Sequence, residues 1–184
     1  MEHIQRIGVF LSAREDIDPA YREAAREIGS WIGSTHRTLV YGGARCGLME
    51  EVAQATKKAG GTVVGVVPNI LFERHLESDC MDRTIKCKDL SERKTILLRE
   101  SDILLSLPGG VGTLDEMFTA LGMSAIGENG AKVCVAYNVK GCWNKLTEMF
   151  DEMEQNGLLR PNFRHFFRVA ENIEELENII TSIK

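Results

Sequence analysis

The segment Pro108-Gly109-Gly110-Val111-Gly112-Thr113-Leu114-Asp115-Glu116 places three glycines in four residues ahead of a threonine and two carboxylates. Glycine permits positive φ and lets a ligand approach the backbone closely. Where such a turn enters a helix, unpaired N–H groups and a positive dipole end are added, which together make a phosphate cradle. A second cluster, Tyr41-Gly42-Gly43-Ala44-Arg45-Cys46-Gly47, repeats the pattern. Glycines of this kind also serve tight strand-to-helix turns with no ligand. Two clusters at the same edge of one sheet favour the phosphate.

Glu116 admits two readings. Thr113 and Glu116 are three residues apart, as in a capping box with Thr113 at N-cap and Glu116 at N3. Alternatively, the carboxylate faces the sugar of a ligand held one helical turn away. Upstream, Asp89-Leu90-Ser91-Glu92-Arg93-Lys94 opens a helix with two cations, beside a positive dipole end that they do not help. Ile96 and Leu97 follow Arg93 at i+3 and i+4, which turns Arg93 inward. An inward arginine suits bidentate anion binding; an ion pair with Asp89 or Glu92 is the other reading.

Familiar nucleotide fingerprints are missing. Gly42 and Gly47 have P-loop spacing, but Leu48 and Met49 stand where lysine and Ser/Thr are required. The first apolar run is followed by Leu11-Ser12-Ala13-Arg14 and not by GxGxxG, which argues against NAD.

These groups must be held by an alternation of short β-branched runs and longer helical patterns. Strands are expected at 7–10, 38–42, 62–67, 103–107 and 132–137, with weaker ones at 84–88 and 166–170. The strong runs are almost continuously apolar, as in strands buried on both faces of a parallel sheet. Helices are expected at 19–34, 48–59, 89–100, 113–126, 143–156 and 172–183. The pattern predicts one α/β domain over 1–184, a doubly wound, mostly parallel sheet with helices on both faces. Ligands of such sheets sit beyond the carboxyl ends of the strands. The irregular stretch 68–83 is either an active-site lid or a surface connection. Trp31, Trp143 and the phenylalanines of NFRHFF (162–167) are expected to pack the core or an interface.

At 184 residues the chain can bury a sizeable core, and its net charge of −5 argues against nucleic acid as a main partner. The opening MEHIQRIGVFLS lacks a basic leader with a long apolar region, and no run reaches the roughly 18 apolar residues of a membrane span. A cytoplasmic protein is expected. Cys46, Cys80, Cys87, Cys134 and Cys142 are odd in number and lack CxxC spacing, and the four histidines are scattered. Neither a metal site nor a cofactor is expected.

The residues quoted above resemble the Lonely-Guy (LOG) family of cytokinin riboside 5′-monophosphate phosphoribohydrolases, long labelled lysine decarboxylase-like. PGGVGTLDE fits the family's PGGxGTxxE motif, SERK its upstream Arg-Lys pair, LVYGGARCGLME its YGGGxxGLM segment and GGTVVGVVP its following strand. The resemblance runs from about residue 6 to 160. It implies a Rossmann-like homodimer with active sites near the interface, hydrolysing a nucleoside 5′-monophosphate to free base and ribose 5-phosphate. By position it makes Arg93 and Glu116 the catalytic pair. Lys94, Gly109, Gly110, Val111, Gly112 and Thr113 fall on its nucleotide-binding positions, and Gly42 and Gly43 on its second glycine turn. The chain departs from the family pattern at Ser12-Ala13-Arg14, Ala44, His75, Leu97 and Gly122-Met123-Ser124-Ala125. Almost all these changes fall on the base side of the pocket, so an altered base preference is expected, with AMP a candidate substrate.

Three alternatives stand beside this. Molybdenum-cofactor carriers are similar in fold and glycine motif, but a pure binder has no need for Glu116. A pyridoxal phosphate decarboxylase needs a Schiff-base lysine, and Lys94 sits beside an arginine at a helix start. A pocket that has drifted out of use is the third.

Overall fold

The computed structural model describes residues 4–127 and 131–183. Seven strands form one parallel sheet in the order β4-β3-β2-β1-β5-β6-β7. They are β1 (Arg6–Phe10), β2 (Thr38–Tyr41), β3 (Thr62–Pro68), β4 (Arg83–Cys87), β5 (Ile103–Ser106), β6 (Cys134–Tyr137) and β7 (Phe167–Ala170). The helices are α1 (Pro19–Ser34), α2 (Gly47–Lys58), α3 (Asn69–Glu73), α4 (Leu90–Glu100), α5 (Val111–Ala125), α6 (Asn144–Gln155), α7 (Phe163–Phe166) and α8 (Ile173–Ser182). The expected strands and helices are all present, shifted by at most two residues at their ends. The short α3 and α7, and a 3-10 turn at Val139–Gly141, carry too few residues to show a period.

Continuously apolar strands divide their side chains between two cores. Ile7, Val9 and Leu11 join Ile28, Trp31 and Val52 on the face covered by α1, α2 and α8. Phe10 and Leu104 join Leu97, Met117, Trp143 and Phe150 on the face of α4 to α7. Both tryptophans are core residues with satisfied N–H groups: Trp31 Nε1 donates to Glu177 (2.6 Å) and Trp143 Nε1 to the Ser106 carbonyl (3.1 Å). Phe163 and Phe167 pack edge-on against Phe150 with centroids 4.9 and 4.8 Å away. These contacts account for the aromatic NFRHFF stretch.

Side-chain caps start several helices. Asp18 accepts from Ala20 N–H ahead of Pro19 at the first helical position, and Asp89 accepts from Glu92 N–H. Helices α1 and α2 approach closely because Gly29 and Gly33 lack side chains. A Cβ on Gly29 would lie 2.5 Å from the Val52 carbonyl and 2.7 Å from Ala55 Cβ. Gly29→Ala should therefore destabilise the fold. Overpacking costs about 1–3 kcal/mol, which outweighs the 0.5–1 kcal/mol or so that alanine gains over glycine inside a helix. The denaturant midpoint should fall, and an unchanged midpoint would contradict this packing.

The chain runs outward from β1 to β4, then returns to β5 on the other side of β1. The switch point lies between the carboxyl ends of β1 and β5, where ligands of open α/β sheets bind. The glycine turns follow β2 and β5, one on each side of β1.

Candidate active site

Ser12, just past β1, ties the two glycine turns together. Its N–H donates to the Pro108 carbonyl (3.2 Å), and its own carbonyl accepts from Leu48 N–H (3.0 Å). Gly47 has φ +53°, and a Cβ there would lie 2.5 Å from the Ala13 carbonyl carbon, so only glycine lets α2 begin against this turn.

The β5 turn delivers the chain into α5 earlier than the capping-box reading requires. Gly110 is the N-cap, without a side-chain bond, and Val111 is the first helical residue. Thr113 is thus the third residue of the helix and Glu116 the sixth, so neither caps it. The first backbone bond of the helix runs from Leu114 N–H to the Gly110 carbonyl (3.1 Å). The N–H groups of Val111, Gly112 and Thr113 precede that ladder. Open space surrounds the Cβ positions of Gly110 and Gly112, and Val111 is 83% exposed. This end of α5 can hold an anion on backbone N–H groups and the helix dipole.

The other glycines have different tasks. A Cβ on Gly109 would lie 2.0 Å from Thr113 Oγ1, so Gly109 makes room for that buried hydroxyl. On Gly42 it would press on Arg93 Nη1 (3.3 Å) and Met49 (3.4 Å), so Gly42 keeps the slot for the arginine. Gly43 has φ +72°, and a Cβ there would strike Val67 Cγ2 at 2.3 Å. Its carbonyl accepts from Ser78 N–H (2.8 Å). Packing alone thus requires glycine at 43.

Arg93 does not pair with Asp89 or Glu92. Asp89 caps α4, and Glu92 accepts from Lys88 N–H (2.7 Å). The guanidinium instead reaches α5, where Nη2 donates to Glu116 Oε1 at 2.7 Å. Both side chains are enclosed, 14% exposed for Arg93 and 6% for Glu116. Arg93 Nε is buried and finds no acceptor among the described residues. A buried donor without a partner costs free energy and is a marker of function or of a missing ligand. Burial raises the Glu116 carboxyl above its ordinary range, against the lowering pull of Arg93.

Lys94, the next residue, donates to both oxygens of Asp115 (2.8 and 2.9 Å). The ammonium sits in an ion pair at a helix flank, which does not fit a Schiff-base lysine in an apolar pocket. The pairing of Lys94 with Asp115 escaped the reading of the sequence. In the fold the adjacent cations 93 and 94 face the adjacent acids 116 and 115 in reverse order.

Segment 68–83 folds back on the β2 turn. After α3, His75 takes φ +53°, with Leu76 N–H donating to the Leu71 carbonyl (2.9 Å) and His75 N–H to that of Phe72 (3.1 Å). This is the left-handed ending of a short helix. Ala44 and Glu77 form an antiparallel bridge, and Arg45 binds both Asp79 (3.0 Å) and the His75 carbonyl (2.9 Å). Of the two roles foreseen for this stretch, these bonds fit an anchored surface connection.

A cavity of about 190 Å³ lies between α1 and α2, lined by Glu15, Arg22, Arg45, Glu50 and Glu51. Its acids outnumber its bases and Arg22 is already paired with Glu51 (2.9 Å). That lining offers an anion little free positive charge.

Residues 49–180 match the family model described as possible lysine decarboxylase. The chain is 32% identical over 180 residues to cytokinin riboside 5′-monophosphate phosphoribohydrolase LOG5 of Arabidopsis thaliana, covering 98% of this chain and 78% of the relative. The chain belongs to the LOG family. A second relative, the probable phosphoribohydrolase LOGL2 of Oryza sativa subsp. japonica, is 33% identical over 172 residues, 94% of this chain and 70% of its own length. The LOG-family fold is also that of solved structures. The molybdenum cofactor binding protein of Rippkaea orientalis superposes with TM-score 0.74 at 25% identity, covering 100% of this chain and 99% of its own. The molybdenum-cofactor carrier of Chlamydomonas reinhardtii gives 0.74 at 24% over 98% and 100%, a likeness of fold.

Proposed function

We propose that this LOG-family chain hydrolyses the N-glycosidic bond of a nucleoside 5′-monophosphate to free base and ribose 5-phosphate. The substrate is adenosine 5′-monophosphate, with or without a substituent on its amino group. The buried Arg93–Glu116 pair, one helical turn from the uncapped glycine end of α5, carries this reading. Names of the relatives support the same reaction.

The N–H groups of Val111, Gly112 and Thr113 bind the phosphate, with Lys94 alongside. Glu116, four residues after Gly112, lies over that open turn and reaches the ribose. Its carboxylate stabilises the oxocarbenium-like transition state and positions water against the anomeric carbon. Arg93 holds the carboxylate ionised in a buried site and keeps its Nε–H for the substrate. Water supplies hydroxide to the sugar and a proton to the departing base, so no cofactor takes part. The pocket works as a cytoplasmic homodimer. Leu90 and Val111, the exposed apolar first residues of α4 and α5, and the half-exposed Phe118 further along α5 form the face that a second copy covers. No helix among the described residues is long and apolar enough to cross a membrane.

The phosphate cradle is tested by comparing AMP with adenosine. Two charge-assisted bonds of about 1.5 kcal/mol each correspond to roughly 100-fold, so kcat/KM for adenosine should be at least that much lower. Equal values would remove the role of the α5 end. The second reading, a carrier, is favoured by the likeness to the Rippkaea orientalis protein. It leaves the buried carboxylate of Glu116 without a task. A pterin-type chromophore that copurifies, together with no base release, would support it.

A further inference from the structure

Two ion pairs run side by side between α4 and α5, and they differ in how easily they open. Arg93–Glu116 is enclosed, so separating it would strand a buried charge. Lys94–Asp115 lies at the rim, with the Asp115 side chain 54% exposed and that of Lys94 20% exposed. Water can rehydrate a released Asp115 carboxylate, and exposed pairs contribute little to stability. An arriving anion can open the second pair and leave the first intact.

Position makes that exchange useful. Asp115 lies four residues after Val111, so Lys94 is held within about one turn of the open N–H groups of α5. Both oxygens of Asp115 are engaged with the ammonium, at 2.8 and 2.9 Å. The lysine is therefore kept near the cradle but already occupied by a carboxylate.

Resting on the phosphoribohydrolase reading, we propose that Asp115 is the resident counter-ion of Lys94, displaced by the substrate's phosphate and restored when the phosphorylated product leaves. Asp115 weakens phosphate binding by competition, and its return to Lys94 helps to expel ribose 5-phosphate. It is a positioning residue that acts through Lys94 and touches no reacting atom.

The test is calorimetric titration of the full chain with ribose 5-phosphate, with ribose as the uncharged control. Asp115→Asn should tighten ribose 5-phosphate binding about three- to fivefold and leave ribose unchanged. In a Lys94→Met background the same substitution should have little further effect, because the competition acts through the lysine. Weaker or unchanged binding in Asp115→Asn, or equal tightening with and without Lys94, would overturn the proposal. If wild type binds ribose 5-phosphate normally and Asp115→Asn changes nothing, only the counter-ion role fails. If wild type binds no ribose 5-phosphate, the phosphate site fails as well.

Discussion

Glu116→Gln should lower the rate of base release by about 100- to 10,000-fold, the range for removing a positioned acid–base group. Glutamine keeps the size of the side chain and still accepts a hydrogen bond from Arg93, which lies 2.7 Å from the present carboxylate. It loses the negative charge that an oxocarbenium-like transition state needs beside it. The variant loses some stability, because the enclosed Arg93 keeps a hydrogen bond but not its counter-ion, and it should still fold and bind ribose 5-phosphate, because the α5 N–H groups are untouched. The wild type should show the same requirement through pH. On the proposed mechanism activity requires ionised Glu116, and burial raises its carboxyl above the usual range. The acid limb of the rate should therefore lie at higher pH than an exposed glutamate would give, and Glu116→Gln should abolish that limb. Full turnover in the variant, or a limb at the ordinary glutamate position, would remove Glu116 from the chemistry.

Arg93→Ala should be more damaging to the fold. It leaves the Glu116 carboxylate, 6% exposed, without its counter-ion. Breaking a buried pair on one side costs about 3–5 kcal/mol. Part of that cost is avoided if Glu116 takes up a proton, since losing the arginine raises its folded pKa further above the unfolded one. A carboxyl raised in this way contributes stability below its unfolded pKa and loses it as pH rises. The deficit of Arg93→Ala should thus be largest at neutral and alkaline pH and shrink in acid. Adding Glu116→Gln should restore much of the stability and none of the activity. A deficit independent of pH, or no rescue, would show that Arg93 stabilises by packing and not by pairing.

The parallel sheet was legible because its strands are apolar on both faces: β1 carries Ile-Gly-Val-Phe, β3 Val-Val-Gly-Val-Val and β5 Ile-Leu-Leu, with no charged residue inside these runs. Arg93 was legible as inward-facing from Ile96 and Leu97, and the two glycine turns from composition. Less visible was why each glycine is there. Gly42 makes room for a guanidinium 51 positions away, and Gly109 for a hydroxyl four positions on. Such contacts are steric and non-local, and composition does not encode them. The start of α5 was misplaced for a related reason. Thr113 and Glu116 fit a capping box by spacing, while Gly110 starts the helix through backbone geometry without any side-chain signal. The partner of Lys94 was missed because pairing between helices depends on how they cross, which periodicity within each helix does not report.

On the proposed mechanism the Arg93–Glu116 pair and the open end of α5 together cleave a nucleoside 5′-monophosphate. The most direct measurement is the products formed when purified protein is incubated with AMP, GMP, CMP and isopentenyladenosine monophosphate, with Glu116→Gln in parallel. The structure predicts free base and ribose 5-phosphate in equal amounts from an adenine nucleotide, and almost none from the variant. No base released from any of the four by folded wild-type protein, or release that survives in Glu116→Gln, would contradict it.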